Sequence, residues 1–210
     1  MKITTIELAL LVLIGVPTIY TILVGVPFVP SSMTQVRRML KAAELKPGMK
    51  VYDLGSGDGR LVHIASREYG AEAVGYELSP LVYFWSKITQ VFWHSKAKLR
   101  YGNFWRQDLS DADVIVCYLL PHTMKQVKNK LFSKMKPGAL LVSHAFSIQD
   151  HPEWKKLERD REKGLAPIWI YKIGEPTETK EELKQKTPSQ KKPKQSRPKS
   201  KMKKTPPSIQ

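Results

Sequence analysis

Cysteine is almost missing: Cys117 stands alone in a chain of 210 residues. It cannot close an internal disulfide, so no cross-linked framework holds the fold, and nothing in the sulfur chemistry asks for an oxidising compartment. Its neighbours, Val114-Ile115-Val116-Cys117-Tyr118, are those of a buried strand and predict a core thiol rather than a nucleophile. Acid is missing from residues 183–210, where ten Lys or Arg stand without one Asp or Glu. That stretch therefore accounts for most of the formal net charge of +16. Apolar residues also fail beyond about Gly174, where Lys, Pro, Ser, Gln and Thr dominate. Such a chain cannot bury enough apolar surface to offset its ordering entropy, which predicts a basic disordered tail over 175–210. Its charge suits phosphate-bearing partners, either anionic lipid or nucleic acid.

Long apolar runs are absent with one exception. From Ile6 to Pro30 the only charge is Glu7, and Pro17 and Pro27 are the strong helix breakers. At about 1.5 Å per residue such a run can cross a hydrocarbon core of about 30 Å. A cleaved leader would need a basic start and small residues at the cut, and Lys2 and Gly25-Val26-Pro27-Phe28 serve poorly on both counts. A buried core helix is the other reading. The expectation is a single-pass membrane anchor over residues 1–30. Arg37, Arg38 and Lys41 follow it while only Lys2 precedes it, which puts the catalytic part on the cytoplasmic, or an equivalent reducing, side.

After the run, Ser31-Ser32 offer an N-cap to an amphipathic stretch with Met33, Val36, Met39, Leu40 and Ala43 at helical spacing, ending at Lys46-Pro47-Gly48. Residues 31–47 are thus predicted as a connecting helix. Residues 48–174 then alternate between strand-like and helical runs. The strand candidates are Lys50–Leu54, Ala71–Glu77, Lys98–Tyr101, Asp113–Leu119 and Ala139–Ala145, with Ile168–Ile173 expected to close the sheet as an edge after the charged segment Trp154–Lys163. Strands joined by helix-length crossovers predict an α/β domain, a mostly parallel sheet with helices on both faces. Trp85, Phe92 and Trp93 repeat at helical spacing and suggest core or membrane-interface packing rather than a substrate cage.

The most informative stretch is Val51-Tyr52-Asp53-Leu54-Gly55-Ser56-Gly57-Asp58-Gly59-Arg60. A strand runs into glycines at alternate positions and then into a helix, so backbone amides and an electropositive helix start face a ligand. What the loop lacks narrows that ligand. A dinucleotide fingerprint wants glycine at 60, which is arginine, and a phosphate-binding P-loop wants Gly-Lys-Ser/Thr, which is absent. Asp53 at the strand tip can meet an ammonium group, and Glu77 at the end of the next strand can accept hydrogen bonds from both ribose hydroxyls.

These residues resemble motif I and the ribose-binding acid of Rossmann-like class I S-adenosylmethionine-dependent methyltransferases. More narrowly, Pro27-Phe28-Val29-Pro30-Ser31, the loop from Tyr52 to Arg60, Gly75-Tyr76-Glu77-Leu78-Ser79-Pro80 and Gly102-Asn103-Phe104-Trp105 resemble the FAM173-type protein lysine methyltransferases. The resemblance covers roughly residues 27–147; the basic tail is outside it. It implies S-adenosylmethionine as cofactor, held by Asp53, Gly55, Ser56, Gly57, Gly59, Glu77, Leu78, Asn103 and Phe104. It also implies a protein substrate, with membrane proteins among the candidates, because members of that family pair a hydrophobic N-terminal segment with this domain and act on lysines of mitochondrial membrane proteins.

At the reacting side, the fourth strand ends in Cys117-Tyr118-Leu119-Leu120-Pro121. This is not the Asn-Pro-Pro-Tyr or Asp-Pro-Pro-Tyr that resembles amino-adenine and glutamine methyltransferases, which counts against a DNA base. Tyr118 can orient an amine, and His144 on the fifth strand can accept a proton or only pack. Three functions stand open: a membrane-anchored protein-lysine methyltransferase, a methyltransferase acting on a lipid, small molecule or RNA, and a non-catalytic membrane adaptor with a basic tail.

Overall fold

The computed structural model describes residues 4–24, 29–149 and 151–174. The predicted tail over 175–210 and the Pro27-Phe28 part of the family pattern lie outside the described residues. In chain order the main elements are α1 (Thr5–Val24), α2 (Met33–Ala42), β1 (Lys50–Leu54), α3 (Arg60–Tyr69), β2 (Glu72–Glu77), α4 (Pro80–Trp93), β3 (Lys98–Tyr101), β4 (Val114–Cys117), α5 (Pro121–Leu131), β5 (Leu140–His144), β6 (Lys155–Leu157) and β7 (Ile168–Lys172). The strands form one sheet in the order β3-β2-β1-β4-β5-β7-β6. β1 to β5 run parallel, and β7 returns antiparallel between β5 and β6. The expected Rossmann-like α/β sheet is therefore present.

The central strands read as unbroken apolar runs because both of their faces are covered. Val51, Val114, Val116 and Val142 point to a core shared with Val36 and Leu40 of α2 and Leu61, Val62 and Ile64 of α3. The alternate residues Tyr52, Leu54, Ile115, Cys117 and Leu141 meet Met124, Val127 and Leu131 of α5 on the other face. The Cys117 thiol is fully buried against the Met124 sulfur at 3.8 Å, and burial pushes it up to about 12, so it stays protonated and packs. α2 starts where expected: the Ser32 hydroxyl caps it by accepting from the Gln35 amide at 3.2 Å.

Three expectations change. First, among the described residues no helix is long and apolar enough to cross a membrane. The single-pass anchor over residues 1–30 is corrected accordingly, and with it the transmembrane part of the fold, the membrane partner through residues 6–30, the membrane-protein substrate and the membrane-side placement of the catalytic domain. The apolar run is not one element, so its helical part is shorter than the run from Ile6 to Pro30 that the expectation counted. α1 ends at Val24, and Val29 and Pro30 instead continue as non-helical chain lining a cavity of the main domain. Hydropathy summed two pieces with different jobs. α1 itself opens on a reciprocal cap, Thr4 N–H to Glu7 Oε2 at 2.8 Å and Glu7 N–H to Thr4 Oγ1 at 3.3 Å, and lies against α4.

Second, the sheet's edge is β6, three residues inside the charged segment, while β7 sits one place further in. Third, Trp93 packs as expected, stacked on His63 with ring centroids 5.2 Å apart, whereas Trp85 and Phe92 are exposed on the outer face of α4.

Candidate functional site

The carboxyl ends of β1, β2 and β4 open onto one cavity of about 550 Å³, within the usual range of small-molecule sites. Its floor is the glycine loop between β1 and α3. The amides of Gly55 and Ser56 both donate to the Tyr76 carbonyl at 2.9 Å, which staples the loop to the end of β2. Gly59 closes the turn with φ of 81°, and a side chain there would meet His63 Nε2 and Leu99 at 2.9 Å, so the tight turn and the packing beneath it both require glycine. Gly75, which pairs with Asp53 across the strands, is needed for space instead. A Cβ on it would fall 2.6 Å from the Ser56 Cβ.

The structure brings Asp53, Gly55, Ser56, Gly57, Glu77, Leu78, Asn103, Phe104 and Tyr118 to the lining of this one cavity. Gly59 lies just behind it, as the residue before α3. Glu77 is held by the backbone, one carboxylate oxygen accepting from the Gly57 amide at 2.9 Å and the other from the Ser79 amide at 2.8 Å. Burial raises its pKa, and the amides of Ser79, Gly57 and Leu78 oppose that rise. Asp53 is buried, with no cation beside it among the described residues. Burial first, then the Glu77 and Asp58 carboxylates, push it up to about 8. The Ser56 hydroxyl is buried without a hydrogen-bond partner among the described residues. Asn103 spends its Oδ1 on the Trp105 amide at 2.9 Å, capping the short turn Phe104–Arg106.

His144, like Gly59, is an expected residue that does not line the cavity. It lies behind Tyr118, ring centroids 4.2 Å apart, and its Nδ1 meets the Ser31 hydroxyl at 3.1 Å. Burial, then the Arg38 charge, push its imidazole down to about 4, so it is neutral at physiological pH.

Several lining residues were not anticipated. His122, Gln126 and Lys130 come from one face of α5, and Lys130 Nζ stands 5.0 Å from the Trp105 ring centre. Their spacing of four was a legible signal that these side chains share a face. Val29, Pro30 and Ser31 form another part of the wall. Asp58 and Arg60 also line it, joined by a charged pair at 2.6 Å.

Residues 53–156 match the family described as the ANTKMT methyltransferase domain. A protein-lysine N-methyltransferase of Saccharolobus islandicus (strain REY15A) is 33% identical over 153 residues, covering 71% of this chain and 95% of that protein. An adenine nucleotide translocase lysine N-methyltransferase of Mus musculus is 31% identical over 157 residues, 70% of this chain but 63% of its own length. Among solved structures, an RNA methyltransferase from Salinibacter ruber in complex with S-adenosyl-L-homocysteine superposes with a TM-score of 0.66 at 30% identity, covering 71% of this chain and 97% of that one.

Proposed function

We propose, from the premise that this chain belongs to the ANTKMT family of class I S-adenosylmethionine-dependent methyltransferases, that its methyl acceptor is the side-chain amine of a protein lysine. The chain is a methyltransferase and S-adenosylmethionine is its cofactor. The lysine reading is carried by one observation, the 33% identity to an archaeal protein-lysine N-methyltransferase spanned over 95% of its length.

The residues present fit the cofactor. Asp53, a buried carboxylate with no counter-cation among the described residues, suits the ammonium of its amino-acid end. Glu77 keeps lone-pair capacity on both oxygens for the ribose hydroxyls, because each oxygen accepts one short amide bond and a carboxylate oxygen can accept two. Gly55, Ser56, Gly57 and Gly59 shape the loop beside the nucleoside, and Leu78, Asn103 and Phe104 border the place for the base. When bound, the cofactor supplies a methyl group on a sulfonium that passes in line to a nitrogen lone pair, the departing sulfur keeping the bonding electrons.

The chain's own task is to deliver a neutral amine. Leu119, buried in the cavity wall, presents an apolar surface that disfavours an ammonium, so the amine gives up its proton to solvent water as it enters. The Tyr118 hydroxyl orients that amine. His144 backs Tyr118 and holds Ser31; with a pKa near 4 and Nδ1 engaged, it positions rather than accepts the proton.

The test is to incubate the full chain with methyl-labelled cofactor and an extract of host cells lacking the gene, then to hydrolyse protein and RNA separately. Methyllysine is expected. The Salinibacter ruber likeness favours RNA as a second reading, and label confined to nucleosides would replace the first with it.

A further inference from the structure

The wall formed by Val29, Pro30 and Ser31 is a strap tied, among the described residues, at Ser31. The Ser31 carbonyl accepts from Arg60 Nη1 at 2.6 Å, and its hydroxyl meets His144 Nδ1 at 3.1 Å. Arg60 has a second set of bonds. Its Nε and Nη2 grip both oxygens of Asp58 at 2.6 to 3.0 Å, and Asp58 belongs to the glycine loop that cradles the nucleoside. The Thr89 hydroxyl of α4 lies 3.3 Å from the Asp58 carbonyl and 3.0 Å from that of Ser86, and its one proton can go to either. One planar guanidinium thus bridges the cofactor loop and the strap, a junction that a lysine, with a point charge and no fork, cannot reproduce.

Ser31 is followed by Ser32, the cap of α2, and preceded by Val29 and Pro30, which are exposed outside and face the cavity inside. The position of Ser31 therefore fixes that of the strap against the cavity. A ligand that fixes Gly57 and Asp58 also fixes the atoms that aim Arg60.

We propose that Arg60 is a positioning residue that transmits occupation of the cofactor loop to the Val29–Ser31 strap, so that cofactor binding shapes the entrance for the lysine chain. The proposal deepens the reading above and rests on it for the acceptor. It predicts an ordered reaction, in which cofactor precedes acceptor.

The test follows amide exchange of the peptide spanning residues 29–36 in the full chain, with and without S-adenosylhomocysteine, beside calorimetric affinity for the same compound. In the wild type the compound slows exchange in the strap. In Arg60→Ala the strap exchanges faster and no longer responds to the compound. Methyllysine formation falls roughly tenfold at dilute extract and recovers as extract is concentrated, the signature of lost acceptor positioning. Arg60→Lys keeps a charge beside Asp58 and guards against misfolding. It should fold with a wild-type unfolding midpoint, bind the compound and show the same loss of strap response. A strap that still responds in both variants, or a loss of cofactor affinity as large as the loss of turnover, overturns the proposal. A wild type that binds S-adenosylhomocysteine without any change in the strap overturns it alone, whereas a wild type that binds none removes the reading of the cavity as well.

Discussion

Asp53 is the residue at which burial and chemistry pull against each other. Its carboxyl ordinarily titrates near 3.8, and in the folded chain it is pushed up to about 8. The native state therefore holds this proton more tightly than the unfolded chain does. The stability from that difference is complete below the ordinary value and is lost as pH rises through about 8. Asp53→Asn should raise the melting temperature of the ligand-free protein most at pH 9 and flatten its decline between pH 6 and 9. The same variant should bind S-adenosylhomocysteine at least about tenfold more weakly, having no charge for the ammonium. In the wild type, binding at pH 7 should expel a proton, seen as a dependence of calorimetric heat on buffer ionisation enthalpy. Equal proton release by wild type and Asp53→Asn would show that another group carries it. A second prediction concerns space. Gly75→Ala places a Cβ 2.6 Å from the Ser56 Cβ, so it should cost about 1 to 3 kcal/mol in denaturant unfolding and weaken cofactor binding. Adding Ser56→Gly removes the clash, and recovery of stability in the double variant checks that cause. The cofactor side was legible at this scale, because Asp53, Glu77 and the glycines act through backbone geometry set within a few residues of themselves. The demand for glycine at 75 was not, since it arises from Ser56 on another segment.

Among the elements, α2 depends on its cap. Ser32→Ala removes the acceptor for the Gln35 amide and should lower stability by about 1 kcal/mol, read by chemical denaturation. α4 shows that an apolar pattern can fix a helix without fixing which of its residues are buried. Trp93 stacks on His63, so Trp93→Ala should cost about 2 kcal/mol, while Trp85→Ser and Phe92→Ser should stay within about 0.5 kcal/mol of the wild type. A period of 3.6 marks which residues share a face but not whether another element covers it. The strands divide in the same way. β1, β2, β4, β5 and β7 were legible as apolar runs, because most of their side chains are buried, whereas β3, Lys98-Leu99-Arg100-Tyr101, buries Leu99 alone. β6 was not, because Lys155-Lys156-Leu157 joins the sheet through backbone pairing and leaves its lysines exposed at the edge, where charge discourages further pairing.

For the whole molecule, the described cavity-lining residues lie between Val29 and Lys130. A chain ending after residue 174 should therefore bind S-adenosylhomocysteine with the affinity of the full chain, and a calorimetric loss beyond about threefold would give the basic segment a part in the cofactor site. What the sequence determined by itself is local: the alternation of strands and helices, the glycine loop, and the acids at two strand tips. Each follows from the conformational preferences and burial pattern of neighbouring residues, and from these the cofactor is read. Tertiary structure decided how the apolar run before Ser31 is shared between a helix and the cavity wall, and which residues meet across the entrance. Ser31 reaches Arg60 across 29 positions and His144 across 113. Contacts at such separations are selected by the packing of the whole sheet, and no local pattern in the chain encodes them.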